Sequence, residues 1–383
     1  MTYARHMVIA TVLLTASAGR AFADDWTMGG FDASLAHRTA ERSTTSFSNQ
    51  PWSWTAPHGA KLIASPVAAD GVLVVPAMDG TVYGLAATSG RLLWQFSTGD
   101  EVQATPAVLD GRVFVSSLDG KIYALHLASG AVAWQKAVGG LGRSSPVIAG
   151  GSLIVARGFP GNTLLRLDPR SGDTIWESAA DTLAPFSNSA AASDGTRLII
   201  GANEGHYVAF ELASGKKLWT YEASGIVNLS APLLNGGRAF FLPGGDSGRV
   251  HAVDVTTGAP IAGWPVDLPA PAPDITGTAL GRDFAVSSVA AASNSLIVDF
   301  RVDDFVDTDK DGVADQFLMR ETVLALDSAS GKVVWQQANG RQVVSTFNDL
   351  PKYWLCPTPA VYGRMGGATS AAPFVLAAST LTA

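Results

Sequence analysis

Between Ser65 and Gly340 the sequence returns, at a spacing near 40 residues, to one pattern. Its most regular copy is Thr105–Gly139, TPAVLDGRVFVSSLDGKIYALHLASGAVAWQKAVG. Four short apolar runs are separated by Asp110-Gly111, Asp119-Gly120 and Ser129-Gly130, and the last run ends on Trp134. Such pairs between alternating apolar runs are a strong local signal for tight hairpins, because glycine accepts a positive φ at no steric cost. The segment therefore reads as a meander of four antiparallel strands. One such sheet cannot bury both faces alone, so it needs neighbours built like itself.

Those neighbours are in the sequence. Ser65-Pro66, Thr105-Pro106 and Ser145-Pro146 recur at a spacing of 40, as do Trp94 and Trp134. Trp176, Trp219 and Trp335 continue the series, each with a Ser-Gly four residues upstream, and Thr257-Gly258 with Trp264 is a looser copy. The first hairpin repeats as Asp70-Gly71, Asp110-Gly111, Gly150-Gly151, Asp194-Gly195 and Asn235-Gly236. Six repeats result: 65–99, 105–139, 145–180, 189–224, 230–268 and 287–340. Four strands per unit at this period predict an all-β propeller, in which each sheet covers its neighbours' faces and the ring closes on itself.

Closure requires the two ends to meet. Pro51–Thr55 matches a fourth strand, with Trp54 forty residues before Trp94. Thr358–Val361 restarts a first strand and Pro373–Ser379 a second. The ends are expected to share a seventh blade that still lacks one strand. Either Ser43–Gln50 supplies it or the chain is cut short after Ala383, and an eighth blade stays open.

Before the repeats, Arg5 and His6 precede the apolar run Met7–Leu14 and the triplet Ala21-Phe22-Ala23. This reads as a secretory signal over residues 1–23, the run being too short to span a bilayer core of ~30 Å. An irregular arm, 24–50, and the propeller, 51–383, follow. Removing the signal takes away two Arg and no acid, moving the net charge from −7 to −9. That charge disfavours nucleic acid and anionic membrane as partners. The single cysteine, Cys356, leaves no internal disulfide, so stability must come from packing. A soluble, monomeric product in the periplasm or outside the cell is the expectation, with no membrane insertion.

The segments SGRLLW, SGAVAW, SGDTIW, SGKKLW and SGKVVW, each following a strand with Leu-Asp or a variant of it, resemble pyrroloquinoline-quinone (PQQ) repeats. The resemblance runs over roughly 50–383, and Asp25–Asp32 looks like the lead-in of secreted members. It implies one of two groups. Quinoprotein dehydrogenases hold PQQ and calcium on the propeller axis. Propellers like that of the outer-membrane assembly machine keep the repeat, bind no quinone and act as scaffolds for protein partners. The resemblance implies two adjacent cysteines in the alcohol enzymes, and a Glu, an Asn and a general-base Asp at central positions. Here there is only Cys356, and Glu204 and Asp254 are merely scattered residues. The resemblance is therefore closer to the scaffold group, with PQQ not expected and no catalytic or cofactor-binding residue assigned.

Fold alone does not choose a function, so the remaining motifs carry weight. Repeated Trp residues cannot all face one cofactor and are expected to dock adjacent blades. No closely spaced His pair, G-x-S-x-G elbow or phosphate-binding loop is present, and His126 and His251 are expected to be solvent-facing or packed. One motif breaks the repeat. Asp307-Thr308-Asp309-Lys310-Asp311-Gly312-Val313-Ala314-Asp315 spaces carboxylates two residues apart, as in loops that converge on a calcium ion. Asp307, Asp309, Asp311, the Val313 carbonyl and Asp315 are the candidate ligands. The twelfth position is Leu318 rather than Glu, so a bidentate ligand would come from Asp303, Asp304 or Glu321. The loop, 300–321, is expected as an insertion on one rim, between strands Ser295–Asp299 and Thr322–Leu326. Two Pro-rich stretches, Pro265–Pro273 and Lys352–Pro359, suit either protein contacts or caps over blade edges. The reading is a secreted, non-catalytic binding or scaffold propeller with protein partners in the envelope or outside the cell. The alternatives are a PQQ-dependent dehydrogenase relative and a polysaccharide-binding or surface-adhesion module.

Overall fold

The computed structural model describes residues 52–376, except 141, 158–162, 180–189, 203–204, 224–230, 244–247, 270–276, 293, 312–313, 315, 345–359 and 363–373. The first sheet is β1 (Val67–Ala69), β2 (Val72–Pro76), β3 (Thr81–Ala86) and β4 (Leu92–Ser97). The second is β5 (Ala107–Leu109), β6 (Arg112–Ser116), β7 (Lys121–His126) and β8 (Val132–Ala137). The third is β9 (Val147–Ala149), β10 (Ser152–Arg157), β11 (Thr163–Leu167) and β12 (Thr174–Ala179). The fourth is β13 (Ala192–Ser193), β14 (Arg197–Gly201), β15 (His206–Glu211) and β16 (Lys217–Glu222). The fifth is β17 (Leu233–Asn235), β18 (Arg238–Phe241), β19 (Arg249–Asp254) and β20 (Val266–Asp267). The sixth is β21 (Thr278–Ala292), β22 (Ser295–Asp307), β23 (Gln316–Asp327) and β24 (Val333–Val344). β25 (Ala360–Tyr362) and β26 (Phe374–Leu376) make a two-stranded seventh sheet, where the sequence places a first and a second strand. Among the described residues the only helical element is a 3-10 turn, Pro57–Gly59, and no helix is long and apolar enough to cross a membrane.

Every sheet is an antiparallel meander in chain order. The first hairpins are as tight as their sequences demand: Asp70 and Gly71, and again Asp110 and Gly111, both take positive φ. In the fifth sheet the same geometry falls on Gly236 and Gly237 rather than on Asn235-Gly236, and Asn235 pairs with Arg238 as the last residue of β17. Second and third strands are buried along nearly their whole length, as β2 and β7 show, because both their faces meet neighbouring sheets. Fourth strands such as β8 and β16 alternate between exposed and half-buried. The larger apolar clusters cross from sheet to sheet; Val74, Val82 and Trp94 of the first pack with Val113, Tyr123 and Leu125 of the second. The first strands lie side by side in order, β1 next to β5, β5 next to β9, β13 next to β17, and β17, β21 and β25 in turn. The fold is an all-β propeller and each sheet is a blade.

Tryptophan joins the blades. The indole N–H of Trp94 donates to the Leu127 carbonyl of the next blade at 2.7 Å. Trp134, Trp176 and Trp219 repeat this at Pro169, Leu212 and Val255. The ring lies on the glycine of the next Ser-Gly turn: a Cβ on Gly130 would meet Trp94 at 2.6 Å. Two expectations are corrected here. The tryptophan that plays this part before the first blade is Trp52, which donates to the Ala87 carbonyl at 3.0 Å and lies over Gly90. Trp54 packs at a tilt against Tyr83 instead, as Phe96 packs edge-on against Tyr123, so the repeat spacing here is 42 and not 40. Trp264 also departs from the pattern. Val266 takes the place over Gly331, and the Ser328 carbonyl accepts from Arg238 at 2.6 Å. The buried indole N–H of Trp264 is left with no acceptor among the described residues.

Candidate metal centre on the sixth blade

The sixth blade is built differently from the rest. Its strands run 12 to 15 residues, whereas the others run 2 to 6. The stretch 300–321, expected as a loop, is strand over 300–307 and 316–321, and only the tip at 308–315 turns. The repeat is also longer than 287–340, beginning at Thr278 and ending at Val344. The physical reason lies in β22, where Phe300, Val302, Asp304 and Val306 are buried and alternate with half-buried Arg301, Asp303 and Phe305. That is a period of two, and ion pairing across and along the strand offsets the penalty of its charges. Asp304, 1% exposed, is paired with Arg320 of β23. Arg301 grips Asp303 on the opposite face through two bonds of 2.6 Å.

Asp307 ends β22, and the turn Thr308–Asp311 brings Asp309 and Asp311 back beside it. One carboxylate oxygen from each of these three residues lies within 4.8 Å of the others. Asp307 is buried, Asp309 and Asp311 exposed. The turn is set by Lys310 N–H donating to Asp307 at 2.6 Å and Asp311 N–H donating to Asp309 at 3.2 Å, with Lys310 at a φ of 69°. Two oxygens on one calcium at 2.3–2.6 Å are separated by at most about 5 Å, so the spacing fits one such cation. Three of the five residues named from sequence are thus brought together; Val313 and Asp315 lie outside the described residues. The proposed sources of a bidentate ligand do not serve. Asp303 and Asp304 are held by arginines, and Glu321 faces Arg301 in the β22–β23 register, five pairs from the Val306–Gln316 pair at the tip. At about 3.4 Å per pair that is roughly 17 Å away.

Other candidates resolve into structure. Asp254 accepts from the Thr256 and Thr257 N–H groups and the Thr257 hydroxyl, so it closes the turn after β19; those bonds hold its carboxyl below the usual range. Asp119 likewise accepts from Lys121 N–H, from Gly99 N–H and from the Tyr123 hydroxyl. Burial, with Asp119 adding to it, pushes the Tyr123 phenol up to about 12. His126 ends β7 in solvent, and His251 is packed. The His251 Nδ1 is 2.9 Å from the Tyr221 hydroxyl, and burial, then the charge of Arg249, pushes the ring down to about 4. Glu204, Cys356, Ser43–Gln50 and Lys352–Pro359 lie outside the described residues, as do 270–273 of the other Pro-rich stretch. What sequence reasoning missed is the rigid sheet beneath the acidic turn; the 300–306 alternation was its one available signal.

The repeat, the blade meander and the tryptophan–glycine joints define a propeller of PQQ-like repeats. Among known proteins the matching family model is that of outer membrane protein assembly factor BamB, over residues 36–183 and 160–338, and the chain belongs to that family. No curated protein matches it. Among solved structures, BamB from Moraxella catarrhalis is 17% identical with a TM-score of 0.55, covering 86% of this chain and 92% of that one. A quinohemoprotein alcohol dehydrogenase from Pseudomonas putida HK5 is 13% identical with a TM-score of 0.61 over 82% of this chain, which spans 66% of the enzyme's length. The corresponding enzyme from Comamonas testosteroni is 15% identical with a TM-score of 0.60, covering 84% of this chain and 68% of its own. At these identities the likeness is one of fold.

Proposed function

We propose that this chain is a non-catalytic scaffold propeller of the cell envelope, binding protein partners, with one calcium ion held by Asp307, Asp309 and Asp311. The observation that carries the reading is the sixth blade. In a chain of the BamB family, it alone among the described four-stranded blades prolongs all its strands, into an extension stiffened by the Asp304–Arg320 and Arg301–Asp303 pairs. A stiff, half-polar sheet standing beyond its neighbours suits recognition, since contact surfaces held on regular elements lose little entropy on binding. Calcium would lock its acidic tip, and Val313 and Asp315 would complete the shell. The family supports an envelope location, as the leader-like residues 1–23 do.

A photo-crosslinker at Leu280, an exposed residue of β21, tests the scaffold role in envelope extract. A discrete cross-linked protein is expected. No adduct, together with dye-linked oxidation of alcohols or sugars after loading with PQQ and calcium, would overturn the reading. For the ion, calorimetric titration of the chelated protein with calcium should give a saturable signal. Calcium at ten times its Kd should add about 1.4 kcal/mol, or roughly 2 °C in Tm. The Asp309→Ala, Asp311→Ala double variant should lose both effects; a signal unchanged in it would sink the calcium site.

A further inference from the structure

Three blade joints carry a pair of rings at one repeated place. The residue two after the joint tryptophan meets the third residue of the next blade's third strand. Trp54 meets Tyr83, Phe96 meets Tyr123, and Tyr221 meets His251. In the first two pairs the tyrosine hydroxyl donates to the acid of the turn before it, Asp79 at 3.2 Å and Asp119. At the joint between the fourth and fifth blades the place is taken by an imidazole. His251 is 4% exposed, and its Nδ1 is 2.9 Å from the Tyr221 hydroxyl.

With the ring neutral, the Tyr221 hydroxyl donates and Nδ1 accepts. A second proton makes Nδ1 a donor, so the hydroxyl must turn its own proton elsewhere. Both ring nitrogens then carry N–H groups, and Nε2 is a buried atom with no bond among the described residues. The surroundings oppose the charge. Phe241 lies across from His251 in the β18–β19 register, and the fully buried Tyr207 of β15 stacks on Phe241. Arg249, two residues along β19, adds a like charge, and its partner Asp267 of β20 is 78% exposed. Asp254 is taken up by the turn after β19, Arg238 of β18 by the Ser328 carbonyl, and Glu222 lies across from His206. Burial, then the charge of Arg249, holds the ring down to about 4. Parting the two blades returns it to water, where it titrates at its ordinary 6.5. The indole bond that pins this joint, Trp219 to Val255 at 3.2 Å, is the longest of the four from Trp94 to Trp219.

We propose that the joint between the fourth and fifth blades is an acid-sensitive latch, which opens when His251 takes up a proton. Tyr83 and Tyr123, the rings at the matching places, gain no charge in acid, so their joints keep their grip as pH falls. Opening parts Tyr221 from His251 and frees the Trp219 indole from the Val255 carbonyl. Each blade is held only by its neighbours, so loss of one joint leaves the others in place. The latch goes beyond the scaffold reading and holds whatever partner the propeller takes.

Hydrogen exchange of the indole N–H groups in the full chain, followed by nuclear magnetic resonance, tests the latch. Trp219 reports this joint, and Trp94, which donates to Leu127 at 2.7 Å, reports a joint closed by Phe96 and Tyr123. The ratio of their exchange rates cancels the intrinsic pH dependence that the two indoles share. A ring held at about 4 when shut and at 6.5 when open should raise the Trp219-to-Trp94 ratio roughly twentyfold from about pH 7 to about pH 5. His251→Tyr, which restores the residue of the first two joints, should leave the ratio level. His126→Ala, at an exposed ring ending β7, should leave the rise intact. A level ratio in the unaltered chain would overturn the proposal whether or not a variant folds. So would a rise that survives His251→Tyr, or one shared equally by Trp134 and Trp176, which would mark loosening of the whole ring.

Discussion

At Gly130 two demands meet on one residue. Its φ of 68° excludes most side chains, and the Trp94 ring occupies the space a Cβ would need. Gly130→Ala should therefore destabilise by about 2–4 kcal/mol, adding a left-handed backbone cost of about 1–2 to one of overpacking. Gly111→Ala, with a φ of 68° but nothing within 4 Å, should cost only the backbone share. The difference between their chemical denaturation midpoints isolates the joint. His251 gives the fold a pH dependence. Its folded value of about 4 lies below the ordinary 6.5, so the fold prefers the neutral ring. Its contribution is fully present above pH 6.5, is lost as pH falls from 6.5 towards 4, and is constant below that. At 1.36 kcal/mol per unit the loss is of the order of 3 kcal/mol. His251→Tyr places at this position the residue that Tyr123 supplies against Phe96 three joints earlier. It should flatten the melting temperature between pH 6.5 and 4, and an undiminished slope would assign the acid sensitivity elsewhere.

At the scale of the element, the short blades and the long one differ in how much their own sequence says. Strands such as Lys121–His126 were legible because the apolar run is unbroken and Asp-Gly and Ser-Gly bracket it. The extension of the sixth blade was not. Arg301, Asp303, Asp304, Arg320 and Glu321 interrupt its apolar residues, and a charge-rich stretch after a strand reads as loop. What makes it sheet is the register, which brings Arg320 to Asp304 and so lets a carboxylate lie 1% exposed. That pairing is a property of two segments 16 residues apart, and no single window contains it. The acidic turn itself was legible, since its ligand spacing is local; its reliance on strands rather than loops for support was not. Arg320→Gln should cost about 3–5 kcal/mol, the penalty of stranding a buried charge. Arg320→Leu with Asp304→Leu should cost much less, since both charges leave together. Hydrogen exchange along 300–322 would read the effect locally, as loss of protection in the single variant and its return in the double.

For the whole molecule the question is what holds a ring of weakly connected sheets shut. Each blade touches only the blades on either side, so the joints act in series and the ring is as firm as its closing joint. In every joint from Trp94 to Trp219 the indole donates to a carbonyl of the next blade. Trp52 supplies that bond to the first blade, whereas Trp54 contributes only ring packing among the described residues. The repeat spacing in the sequence pointed to Trp54, because period alone weighs both tryptophans equally and a two-residue slip keeps the side chains on the same face. The two roles separate by a change that keeps the ring and removes the N–H. Trp52→Phe loses a part-buried hydrogen bond and leaves the Ala87 carbonyl unpaired, which should cost about 1–3 kcal/mol. Trp54→Phe keeps its ring contact with Tyr83 and should stay within about 1 kcal/mol of the parent. The larger loss at Trp52 should also appear as faster proteolysis of the first blade, since opening the closing joint exposes its leading face before any other. Equal losses at the two positions would show that packing alone, and not the directed bond that recurs around the ring, closes the propeller.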